Sequence, residues 1–174
     1  KRYGRYMDFS RRVFYKEQYV SLYNLCCLTM TDMSSMTDVD RLIDDHTLFV
    51  SFGEEDFPKP SIREITETLK VLDTKSKQAF ETDGSLSFTE MLYITYWKLK
   101  NKEWEIPYWA LYTNIFIDEC QDLSNLQLNF LKFVKRQKGR YVFIGDYRQA
   151  IYMFCGANAQ AFNQIPKMFA PMET

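Results

Sequence analysis

At 174 residues, 46% hydrophobic and 17% aromatic, the chain can bury one good-sized core or two small ones, which excludes a disordered polymer. A formal net charge of −1 excludes a global basic field for nucleic acid, though a strand held in a local groove needs no such field.

The first half reads as helices. "MDFSRRVFYKEQYVSLYNLCCLTM" places Phe9, Val13, Tyr19, Leu22, Leu25 and Cys26 near helical spacing, giving one apolar face. After the polar break "TDMSSM", Thr37 suits the N-cap of a helix that buries Val39, Leu42 and Ile43. "TLFVSFG" fits a short strand or an extended connection. A stronger helix follows, with Pro60 in its first turn and Ile62, Ile65, Leu69 and Leu72 at three- to four-residue steps. The loop "ETDGS" at 81–85 marks a subdomain boundary.

Past it, Ser87 and Glu90 form a capping box, with Leu86 and Met91 placed as a hydrophobic staple. The device recurs in "LSNLQL", where Ser124 caps, Gln127 reaches back and Leu123 and Leu128 staple. That helix is expected to run to about Lys138 and stop at Gly139. The predicted strands are Asn114–Asp118 and Arg140–Gly145. A helix of roughly four turns between them implies a β-α-β crossover and a parallel pair. Each strand then ends in an acid, Asp118 or Asp146, at the edge where open α/β sheets place their ligand sites.

Four cysteines (Cys26, Cys27, Cys120 and Cys155) form no CxxC pair, and with a single histidine, His46, no structural metal site is expected. Reduced thiols suggest a cytoplasmic setting. No apolar run approaches the roughly 18 residues of a membrane span, and no signal peptide is visible. The chain lacks an initiator methionine and ends in the unpatterned "QIPKMFAPMET", so the expectation is a piece of something larger.

An Asp at the tip of an apolar strand, followed by Glu, is how many phosphate-hydrolysing ATPases finish their metal site. The Asp holds Mg²⁺, a hard cation that favours oxygen, and the Glu orients or deprotonates the attacking water. The alternative is an acid that caps the next turn. On the neighbouring strand, Gln149 is of a type that can sense a terminal phosphate by hydrogen bonding.

Here the sequence resembles the UvrD/Rep-like superfamily 1A DNA helicases. "IFIDECQD" at 115–122 has the form of their Walker B segment, apolar residues followed by D-E-x-Q-D. "GDYRQAIYMFCGA" at 145–157 is similar to their motif III, G-D-x-x-Q-[SA]-I-Y-x-[FW]-R-G-A. "LSFTEMLY" looks like a weaker relative of their D-F-D-D-[ML] stretch, and "YNLCCLTMTD" resembles a helical region of some members. The strong part of the resemblance covers about 113–157.

The resemblance implies an α/β fold. It would comprise a helical inserted subdomain over 1–84 and, over 85–174, the later part of the first RecA-like P-loop NTPase motor domain. It implies ATP and Mg²⁺ as cofactors, with Asp118 assisting the metal largely through water and Glu119 as catalytic base. Gln149 would contact the γ-phosphate or its water, and Asp146 would support that loop. Gln121 and Asp122 would join the nucleotide site to neighbouring motifs, the alternative for Asp122 being only to favour the N-terminus of the next helix. Tyr152 and Phe154 would face single-stranded DNA, or else pack in the core. The implied partners are single-stranded DNA, single/double-strand junctions and the remainder of the helicase, with no membrane.

The pattern also breaks. Cys155 stands where the family has an arginine and cannot supply its charge or its fork of donors. Ser87 and Thr89–Glu90 replace acidic positions. No G-x-x-x-x-G-K-[ST] occurs among these residues, and glycine numbers only 6, so the β- and γ-phosphates lack their cradle. The expectation is a parent that hydrolyses ATP to move on single-stranded DNA, 3′ to 5′, and a fragment that is inactive alone. An exposed sheet edge would invite self-association. The competing readings are a non-catalytic DNA- or protein-binding member of the lineage, and an unrelated α/β phosphohydrolase.

Overall fold

The computed structural model describes residues 2–50, 57–82, 84, 86–149, 156–157 and 161–170, and no side chain for 2–8 or 147. The chain forms two compact units, one of Lys1–Cys26 and Thr31–Leu86, the other of Cys27–Met30 and Ser87–Thr174.

The first unit is helical, with α1 (Arg2–Thr29, whose last residues belong to the second unit), α2 (Met36–Asp45) and α3 (Ile62–Thr82). Leu22 and Cys26 on α1, Val39 and Ile43 on α2, and Ile65 and Leu69 on α3 lie at i, i+4 spacing and are buried. The predicted stripe on α1 is right from Leu22 onward and holds in part at Tyr19, half-buried with its ring edge-on to Phe49 at 5.2 Å, but it fails at Phe9, which is 65% exposed, and at Val13, exposed as well. Near that end the chain is met by the 57–58 segment. Phe14 stacks on Phe57 at 5.0 Å and the Tyr15 hydroxyl donates to Pro58 O at 2.6 Å, so the covered face is turned round the helix.

The caps differ in the same way. Ser35, not Thr37, caps α2 by accepting from Asp38 N, which places Thr37 inside the helix. For α3, Ser61 and Glu64 exchange backbone N–H to side-chain oxygen bonds of 2.9 and 3.3 Å, a reciprocal cap that leaves Pro60 outside the helix. In the stretch "TLFVSFG", Thr47 and Phe49 adopt left-handed φ values of 53° and 59°, so it turns rather than extends there. Residues 51–53 lie outside the described residues.

The second unit holds α4 (Phe88–Lys100), β1 (Tyr112–Ile117), α5 (Asn125–Val134), β2 (Lys135–Phe143) and α6 (Ala161–Met168). The capping boxes at Ser87 and Ser124 are both formed. Met91, expected in a staple, is half exposed. The strands are parallel and joined through α5, as the sequence predicts, with Asn114 opposite Arg140 and Ile117 opposite Phe143.

Helix α5, however, stops at Val134, four residues short of the expected end. Residues Lys135 to Lys138 have adequate helix propensity, but Lys135 pairs with Tyr112 across an irregular register, and this pairing overrides it. Gly139 is therefore not a helix stop. A Cβ there would lie 2.8 Å from Thr113 O, so the glycine admits the close approach of the strands.

One face of the pair, Ile115 and Ile117 with Tyr141 and Phe143, packs with Leu128, Leu131, Ala161, Ile165 and Phe169. Phe116 and Ile144, on the other face, are exposed. Among the described residues, no helix is long and apolar enough to cross a membrane.

Candidate functional site

Parallel pairing brings the ends of β1 and β2 to one edge, and the chain continues each strand with one more linking bond. Ile144 N donates to Ile117 O at 2.8 Å, and Cys120 N donates back to Ile144 O at 2.9 Å. Between those bonds lie Asp118 and Glu119, both exposed. Glu119 sits at φ 49°, ψ 43°, a left-handed conformation that costs a non-glycine residue about 1–2 kcal/mol. It tips the backbone from the strand into the 3-10 turn Cys120–Asp122, where Asp122 N donates to Glu119 O at 2.9 Å. The Asp118 carboxylate accepts from Glu119 N at 3.0 Å.

Gln121 is the centre of this edge. It is 3% exposed, its Nε2 donates to Glu119 Oε2 at 2.7 Å, and its Oε1 accepts from Asp146 N at 3.1 Å. One buried amide thus ties the Glu119 carboxylate to the segment that leaves β2. Gly145 makes room for it. A Cβ at that position would collide with Gln121 Oε1 and approach Cys120 Sγ to 2.9 Å. Burial raises the Cys120 thiol above its ordinary value, so it sits there as an inert neutral filler.

Asp146 in turn organises the next residues. Its Oδ1 accepts from Arg148 N at 2.9 Å, its Oδ2 from Gln149 Nε2 at 3.3 Å, and its carbonyl from Gln149 N at 2.9 Å. The sequence-predicted residues Glu119, Gln121, Asp146 and Gln149 therefore form one hydrogen-bonded run. Asp118 stands beside it. Asp122 closes the 3-10 turn, two residues before the Ser124 cap of α5, and has a buried Oδ1 that has no hydrogen-bond partner. Tyr152, Phe154 and Cys155 lie outside the described residues.

Sequence reasoning missed two features of this edge. One is the space demanded at Gly145. The other is the short antiparallel bridge between Ser124 and Ala157, with Gly156 at φ 85° turning the chain into it. The glycine-alanine pair closing the second motif was the available signal.

Does this edge suit a metal-bound phosphate? Among the described residues, no three acids, histidines or cysteines stand close enough to hold an ion by themselves. The exposed Asp118 carboxylate is of the donor type a hard cation such as Mg²⁺ favours, and it would need further oxygen ligands from elsewhere.

Residues 45–170 match the family described as the UvrD/REP helicase N-terminal domain. Among curated proteins, the chain is 27% identical over 99 residues to DNA helicase II of Escherichia coli, covering 56% of this chain and 14% of that protein. It is 26% identical over 99 residues to DNA helicase II of Salmonella typhimurium, again covering 56% and 14%. RecBCD enzyme subunit RecB of Borreliella burgdorferi is 31% identical over 100 residues, covering 55% and 9%. The chain thus spans a small part of the length of these relatives. With the family match extending over most of its residues, and with both motifs meeting at one sheet edge, the chain belongs to the UvrD/REP helicase N-terminal domain family.

Proposed function

We propose that residues 85–174 are the later part of the first RecA-like motor domain of an ATP-dependent DNA helicase, and that residues 1–84 are the helical subdomain inserted into it. The parent protein would couple Mg-ATP hydrolysis to 3′-to-5′ movement on single-stranded DNA and to duplex separation, in the cytoplasm. The observation that carries this reading is the run Glu119–Gln121–Asp146–Gln149, which joins a candidate base to a candidate phosphate sensor through side-chain and backbone bonds.

In this reading Asp118 holds the hydrated cation, and Glu119, oriented by Gln121, takes the proton of the attacking water. Bound Mg²⁺ would neutralise charge developing on the transferring phosphoryl group. Gln149 now reaches Asp146 Oδ2 over 3.3 Å, a long bond that is readily exchanged for one to a γ-phosphate. Tyr152 and Phe154 follow directly in sequence and would stack on DNA bases, so a change at Gln149 is passed to the DNA grip. This chain carries no P-loop sequence, and by itself it is expected not to hydrolyse ATP.

The test is ATP hydrolysis by the full-length parent, with and without single-stranded DNA, beside Glu119→Gln. DNA-stimulated turnover that the substitution abolishes while ATP still binds is the expected result. Cys155, in place of the family arginine, favours a second reading, a non-catalytic DNA- or protein-binding member of the lineage. A parent that binds DNA and never turns over ATP would replace the first reading with the second.

A further inference from the structure

The opposite edge of the sheet, where β1 and β2 begin, collects side chains that the nucleotide reading does not use. Pro107 leads into a 3-10 turn, Tyr108–Ala110, that leaves Tyr108 71% and Trp109 81% exposed, and Tyr112 at the head of β1 is 61% exposed. Three large exposed rings thus lie within five residues of chain, an unusual density of apolar surface for a folded protein.

Cations stand beside it. The Arg136 guanidinium lies 4.6 Å from the Tyr108 ring centroid, and its Nε donates to Leu111 O at 3.0 Å, which ties β2 to the turn. Lys135 pairs with Tyr112 in the strand register, and Lys138 is exposed. Among the described residues, none of Lys135, Arg136, Lys138 and Arg140 is paired with a carboxylate. Lys135 donates to the Arg136 and Gly139 carbonyls and Arg140 to the Asn114 amide oxygen, all neutral groups. The only acid between Trp104 and Tyr112 is Glu105. A chain with a net charge of −1 thus concentrates uncompensated positive charge around exposed rings.

We propose that this edge binds single-stranded nucleic acid, with Trp109 and the free face of Tyr108 stacking on unpaired bases and Arg136 and Lys138 meeting phosphates. Open aromatic faces require unstacked bases, which a duplex does not offer, and uncompensated cations favour a polyanion over a neutral protein surface. The site is independent of the nucleotide reading, since the two edges are separated by the length of β1, about 17 Å.

The test is fluorescence anisotropy of a labelled oligothymidylate of about a dozen residues with the 174-residue chain. Trp109→Ala is expected to weaken binding about tenfold and Trp109→Phe much less. Arg136→Gln should reduce the salt dependence by about one counterion, with Arg136→Lys retaining it. Trp109 is exposed, so its replacement leaves the core intact. Unchanged affinity in Trp109→Ala and Arg136→Gln, or no binding by the parent sequence, overturns the proposal. So does an aromatic surface that sedimentation shows to be covered by a second copy. A loss confined to Tyr152→Ala would overturn it too, while leaving the reading under Proposed function standing.

Discussion

Gln121 and Glu119 are joined by a 2.7 Å hydrogen bond from the amide Nε2 to the carboxylate, while the other end of the same amide accepts Asp146 N. Gln121→Ala removes both bonds at once and leaves the part-buried Asp146 N–H without its protein partner. It should lower unfolding stability by about 1–3 kcal/mol and speed hydrogen exchange at the Asp146 amide. If that amide exchanges at the parent rate, the amide bridge is not what holds the two strand ends together.

Gly145 is expected to tolerate nothing larger. In Gly145→Ala the new methyl would meet Gln121 Oε1 and sit 3.1 Å from Cys120 N, which is backbone and cannot swing away. The cost should be about 1–3 kcal/mol in urea unfolding. A neutral result would mean that Gln121 has room to rotate, and the bridge would lose its rigidity.

The caps make a paired prediction. Ser35→Ala should destabilise the helical unit by about 1 kcal/mol, because its side chain accepts from Asp38 N, while Thr37→Ala should be nearly neutral. Urea midpoints of the two variants decide which residue begins α2. The reverse ranking would restore Thr37.

Acid should act on the same unit through Glu64. Hydrogen bonds from the Ser61 hydroxyl and N–H hold its carboxyl below the usual carboxylate range, and Ser34 does the same for Asp32. A folded value below the unfolded one gives stability that is complete above the unfolded value and is lost as pH falls through the folded one. Ser61→Ala should therefore flatten the acid limb of a plot of unfolding midpoint against pH. A limb of unchanged steepness would assign acid sensitivity to other carboxylates.

Features that depend on a few adjacent residues could be read from the amino-acid sequence without any coordinates. The capping boxes at Ser87 and Ser124 were legible because donor and acceptor lie three residues apart on one turn. The apolar run into Asp118 and Glu119 was legible as a strand tip, and the two motifs named the family. The rest was settled by tertiary contacts, wherever a residue's partner is distant in the chain. Val134 ends α5 because Lys135 finds Tyr112 across the sheet, and Phe14 turns inward because Phe57 returns to meet it. Gln121 becomes a bridge only once parallel pairing has carried Asp146 to its side. No local propensity encodes that, since the bond spans 25 residues and forms only when both strands stop at the same edge.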